Sequence, residues 1–178
     1  MHFKLTTAFG AVAVALTTTL MNVTPAVAKP AGTVALENWM LDIIPQIFPN
    51  TTTNWQPLFD NDIIVPDVKL TFNARTITGR DSMRALWEQL NQMVVARTSS
   101  YVLEPTGVVA FSLDDEGHNG WVIATGATTL TTKRGRCYTG GGASAFVSVV
   151  WNETLQARTI TEWKEVNTPP NYPNYPWS

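Results

Sequence analysis

Three carboxylates stand where a proton could be moved in apolar surroundings: Asp62 in "LFDNDIIV", Asp67 in "VPDVKL" and Glu162 in "ITEWKEV". A carboxylate taken out of water holds its proton more tightly, titrates nearer neutrality and can act as general acid or base. Each also has a plainer reading. Asp60 and Asp62 can close a helix-to-strand turn through backbone hydrogen bonds, and Asp67 beside Pro66 reads equally as a solvated turn residue. Glu162 depends on strand alternation. If Ile160 points inward, Glu162 is buried and needs a partner such as Arg158; if Trp163 does, Glu162 is solvated and pairs with Lys164 or Arg158.

Other reactive residues offer less. Once residues 1–28 are set aside, His118 is the one histidine left, and it follows "DDEG" in a predicted hairpin loop. Asp114, Asp115, Glu116 and His118 meet no spacing rule for zinc or an EF-hand, so no metal site is expected. Cys137 is the single cysteine, which excludes an intrachain disulfide, and no histidine beside it in sequence would activate the thiol. The glycines of "KRGRCYTGGG" run toward a strand rather than opening a helix. They therefore predict a flexible hairpin loop, able to act as a flap, rather than a phosphate cradle. Most of the seven tryptophans must fill a core. Trp87, Tyr101, Trp121 and Phe146 are selected as the aromatic wall for a ring-containing ligand.

The elements that must position these groups lie between residues 29 and 166. Residues 1–28 have a cationic start, a threonine-diluted apolar stretch and "AVA" before Lys29, the pattern of a cleaved secretory signal. Its removal leaves 150 residues, the size of one domain, with 11 basic and 14 acidic residues. That mild acidity argues against nucleic-acid and anionic-membrane partners. The expected product is secreted and has no membrane partner after processing. In a eukaryotic host, the sequons at Asn50 and Asn152 would mark a glycoprotein.

Leu36, Met40, Ile43, Ile44 and Ile47 share one face of a first helix that Pro45 bends or ends. A short second helix turns Trp55, Leu58 and Phe59 inward. Pro66 interrupts a pair of extended segments, and Thr78 with Asp81 has the spacing of a capping box around Gly79. The helix that follows buries Met83, Leu86, Trp87, Leu90 and Val94. From residue 98 on, four long segments rich in branched and aromatic residues predict an antiparallel meander. Pro105, Gly107 and Gly126 are expected to bend it. Residues 167–178, with four prolines, form a Pro/Tyr-rich tail expected to lie extended on the body or dangle.

The order of these pieces resembles the SnoaL-like branch of the nuclear transport factor 2-like superfamily. The resemblance rests on "LFDNDIIV" at 58–65, "GRDSMRALW" at 79–87 and "ITE" at 160–162, and it covers about residues 33–166. It implies an α+β fold: a cone-shaped barrel in which a strongly curved, mostly antiparallel sheet wraps three N-terminal helical segments around an apolar pocket. In steroid-isomerase-like relatives the region of Asp67 supplies the base. The implied function is a cofactor-independent cyclase, isomerase or dehydratase acting on a small hydrophobic metabolite by carboxylate acid–base catalysis. The alternative is a non-catalytic module for small-molecule binding or dimerisation. The resemblance also implies a homodimer paired through the outer sheet face.

Overall fold

The structure, a computed structural model, describes residues 28–47 and 55–168. Residues 1–27 of the expected signal segment, the sequon at Asn50 and tail residues 169–178 lie outside the described residues. No helix among the described residues is long and apolar enough to cross a membrane.

Helix α1 (Ala31–Ile47) buries Leu36, Met40, Ile43, Ile44 and Ile47, the stripe its sequence predicts. Pro45 sits inside its last turn. The five-residue α2 (Gln56–Asp60) drops Leu58 and Phe59 into the core, with Trp55 buried just before it. Strand β1 (Ile64–Phe72) runs through Pro66 as one element rather than two. The absent N–H of Pro66 falls inside the stretch where pairing with β6 (Ala157–Thr168) shifts register, so no ladder bond is lost there. A tight turn leads to β2 (Arg75–Thr78), and then Gly79, at φ +94°, opens α3 (Arg80–Arg97). The expected capping box does not form. Gly79 itself is the cap residue, without a side-chain cap bond, and its N–H donates to the Val68 carbonyl at 2.9 Å. Few other residues tolerate that positive φ.

Strands β3 (Thr98–Ser112), β4 (Gly120–Thr132), β5 (Cys137–Asn152) and β6 form the antiparallel meander. The sheet order is β2-β1-β6-β5-β4-β3, with β1 and β6 parallel. The glycine run 140–142 belongs to β5, where Gly141 pairs with Thr128 and Gly142 with Ala127. The flap expected there is thus reduced to the turn closed by Thr132 N–H on the Arg136 carbonyl at 2.8 Å. Bulges curl the sheet. Thr106 is extra between Pro105 and Gly107 of β3, and Thr161 is extra between Ile160 and Glu162 of β6. The fold is an α+β cone whose curled, unclosed sheet is covered by the helices.

Candidate active site: a buried carboxylate over small-residue rows

Cross-strand rows on the inner face show why a cavity forms. One row runs Ala110, Val122, Val147, Trp163 and Leu70, and it packs solid with large side chains. The next row runs Val108, Ala124, Ala145, Glu165 and Phe72, and the row beyond it includes Gly126, Ala143 and Asn167. Two alanines, a glycine and a third alanine leave a hollow where neighbouring rows carry valine and tryptophan. Thr125 and Gly126, opposite the β3 bulge, extend it. Ile44 of α1, Leu103 of β3 and Trp163 of β6 form the remaining walls. The hollow holds about 300 Å³ of non-atom space, part of it open to solvent. Only about 20 Å³ of it admits the centre of a water-sized sphere, far below the range for small-molecule sites, so a ligand enters only if side chains around the hollow move apart.

Among the described residues Glu165 is the one ionisable side chain on this lining, and it is 1 % exposed. Its Oε2 accepts the Trp163 indole N–H at 2.7 Å and its Oε1 accepts the Asn167 side-chain N–H at 2.8 Å. No ion pair among the described residues includes it. Burial pushes its pKa up to about 7 from an ordinary 4.5, against the opposing pull of the Trp163 and Asn167 hydrogen bonds. Near neutral pH the group is split between acid and base.

None of the seven residues chosen from sequence lines this cavity. Asp62, at φ +58°, is half-exposed and ion-paired with Arg80, while Asp60 pairs with Arg84 at 2.7 Å. These two acids fasten the α2–β1 turn to the first turns of α3. Asp67 is exposed, on the opposite parity of β1 from buried Val68 and Leu70. Glu162 pairs with Lys164 at 2.9 Å on the outer face. The two alternatives offered for it assumed unbroken alternation, but the Thr161 bulge lets Ile160 and Trp163 both point inward. Arg158 is not its partner, since its guanidinium donates to the carbonyls of Gly117 and Glu116.

The aromatic residues divide between core and surface. Trp87 is fully buried, donates its indole N–H to the Ile47 carbonyl and meets Phe72 edge-on at 6.3 Å. Tyr101 is half-buried against Leu130 and Tyr138. Trp121 lies outside the bowl, stacked on Phe111 at 5.9 Å, and Phe146 sits beneath the Lys164 ammonium at 5.5 Å on the same outer face. Glu165 and the alanine rows were missed. Their signal was the two-residue spacing of Trp163 and Glu165, which puts both on one face of a strand.

Asp114, Glu116 and His118 do bring their ligand atoms within 4.8 Å of one another. The loop already uses Asp114 and His118. Asp114 accepts the backbone N–H groups of His118 and Asn119 and the Asn119 side-chain N–H, at 2.7–2.8 Å. His118 stacks on Trp151 with centroids 3.8 Å apart. Cys137 is exposed and distant in sheet position from Glu165.

No family model matches the chain, and no curated protein does. Solved structures do. Nuclear transport factor 2 from Cryptosporidium parvum superposes with a TM-score of 0.55 at 14 % identity, over 80 % of this chain and 100 % of that one. A scytalone dehydratase-like protein from Novosphingobium aromaticivorans gives 0.55 at 13 %, over 80 % and 88 %. ActVI-ORFA from Streptomyces coelicolor gives 0.54 at 9 %, over 75 % and 93 %. The chain has the nuclear transport factor 2-like fold. At these identities the likeness establishes architecture alone, and chemistry has to be argued from Glu165 and its cavity.

Proposed function

We propose that this chain is an exported, SnoaL-like enzyme of the isomerase, cyclase or dehydratase type, acting on a small hydrophobic molecule with Glu165 as proton carrier. The observation that carries this reading is the single buried carboxylate on an otherwise uncharged cavity, poised near neutral pH. In this scheme the ionised carboxylate takes a proton from a carbon or hydroxyl of the substrate. The resulting carboxylic acid returns it to another atom of the same molecule, or to a departing hydroxyl that leaves as water. The apolar walls exclude water, and the Trp163 and Asn167 donors hold both oxygens in place. No metal or cofactor enters the scheme. That two structural neighbours are a dehydratase-like protein and ActVI-ORFA is compatible with it.

The test is to purify the protein, identify a co-purifying small molecule by mass spectrometry and measure its turnover. Glu165→Gln should lower turnover at least roughly a hundredfold while leaving binding within a few-fold. Full turnover in that variant would overturn the assignment.

A second reading, self-association, is favoured by a separate observation. Val109, Phe111, Trp121 and Ile123 form an outward apolar patch, with Val109 and Phe111 each 62 % exposed. Lys164 and Glu162 flank it two residues apart on one strand, so a two-fold axis would set each opposite its counter-charge on a second copy. Sedimentation of the wild type and of Phe111→Lys separates a dimer from a monomer. A wild type that stays monomeric ends this reading.

A further inference from the structure

Glu165 is connected to a second element by a closed set of hydrogen bonds. Asn73, in the β1–β2 turn at φ +53°, donates its backbone N–H to the Glu165 carbonyl at 2.8 Å. Its side-chain Oδ1 accepts the Asn167 backbone N–H at 2.9 Å. Asn167 then donates its own side-chain N–H to Glu165 Oε1 at 2.8 Å. Asparagine suits both places. At 73 it tolerates the left-handed backbone while offering an acceptor, and at 167 it offers an uncharged donor to a carboxylate. Asn167 lies one residue from the end of β6, where strand ends ordinarily fray; the Asn73 bond replaces the pairing that a longer strand would supply.

We propose that Asn167 and Asn73 are positioning residues for the Glu165 carboxyl, the β1–β2 turn holding Asn167 where its amide meets Oε1. The proposal rests on Glu165 being the site's proton carrier, but its test needs no turnover. Among the described residues, the groups that line the hollow with Glu165 or pair with it across the sheet do not titrate: β5 presents Ala143 and Ala145, β4 Ala124 and Gly126, α1 Ile44, and β1 Phe72. Leu103 of β3, Thr125 of β4 and Trp163 of β6 line it as well. A change in the carboxyl's titration therefore reports its hydrogen bonds.

The experiment is a carbon-13 NMR titration of the Glu165 side-chain carboxyl in the whole protein, its signal assigned by its absence in Glu165→Gln. Removing a donor to the ionised form raises the midpoint, so Asn167→Ala should shift it up by roughly 1–2 pH units. Asn167→Leu, which keeps the volume, should do the same and replaces it if the alanine variant fails to fold. Asn73→Gly keeps the turn but loses the acceptor, and should shift the midpoint upward by less. On the Asn167→Ala background Asn73→Gly should add nothing, because it acts through the amide already removed. An unchanged midpoint in both Asn167 variants would overturn the proposal, as would a full additional shift from Asn73→Gly in the double variant. A wild-type midpoint in the ordinary carboxylate range would instead remove the proposed function, so the two failures are distinguishable.

Discussion

The two ends of the sheet treat their acids in opposite ways. At the β3–β4 hairpin, Asp114 is surrounded by donors. Partial burial raises its pKa, but the N–H groups of His118 and Asn119 outweigh that and hold the carboxyl below its usual range. Arg158 caps the neighbouring loop carbonyls. Gly32 of α1 and Gly117 of the loop approach so closely that a Cβ on either would stand 2.2–2.3 Å from a backbone oxygen. At the other end Glu165 has two donors, no counter-charge among the described residues and a hollow beside it. The contrast shows that burial alone does not set an acid's pKa. The balance between lost water and supplied donors decides whether a carboxyl stays ionised, as at Asp114, or holds its proton toward neutral pH, as at Glu165.

The largest expected effect separates those roles by activity. Glu165→Gln should lower turnover of the identified substrate roughly 10²–10⁴-fold, the usual contribution of a general acid–base group. Asp62→Asn, Asp67→Asn and Glu162→Gln should each stay within a few-fold of wild type, as steady-state kinetics would show.

Stability against pH should differ next. Below pH 4.5 Glu165 is protonated in both folded and unfolded chains. As pH rises from 4.5 toward 7 the unfolded chain ionises first, so wild-type stability falls across that window and levels off above it. Denaturant titrations should show the wild type losing about 3 kcal/mol relative to Glu165→Gln between these limits. Parallel curves for the two proteins would contradict the burial argument.

A smaller effect belongs to the hairpin. Asp114→Ala should cost about 1 kcal/mol at neutral pH. The stability Asp114 contributes is present above the ordinary carboxylate range and lost as pH falls, the opposite sign to Glu165. Ligand binding at the cavity should be unchanged in that variant. Least affected should be the isolated domain in Phe111→Lys, whose melting temperature stays near wild type while any association is lost in sedimentation.

Much of the architecture was legible because its signals are local. The α1 stripe from Leu36 to Ile47 and the four long segments after Thr98 declare their periods within single windows. The parallel pairing of β1 with β6 joins residues almost a hundred positions apart, and no local pattern announces it. The candidate site was less legible for two physical reasons. The Thr161 bulge resets inward parity midway along β6, so alternation read from Ile160 gives the wrong face for Glu162 and Glu165, while alternation read from Trp163 gives the right one. The hollow comes from Ala124, Ala145, Gly126 and Ala143 standing side by side on neighbouring strands, a coincidence visible only once register is known. Asn167, assigned from its prolines to the tail, proves to be part of β6.

One measurement bears on all of this most directly: the titration midpoint of the Glu165 carboxyl in the wild-type protein. A midpoint about 7 is expected. A midpoint close to 4.5 would mean that water reaches the group freely and that burial does not hold its proton.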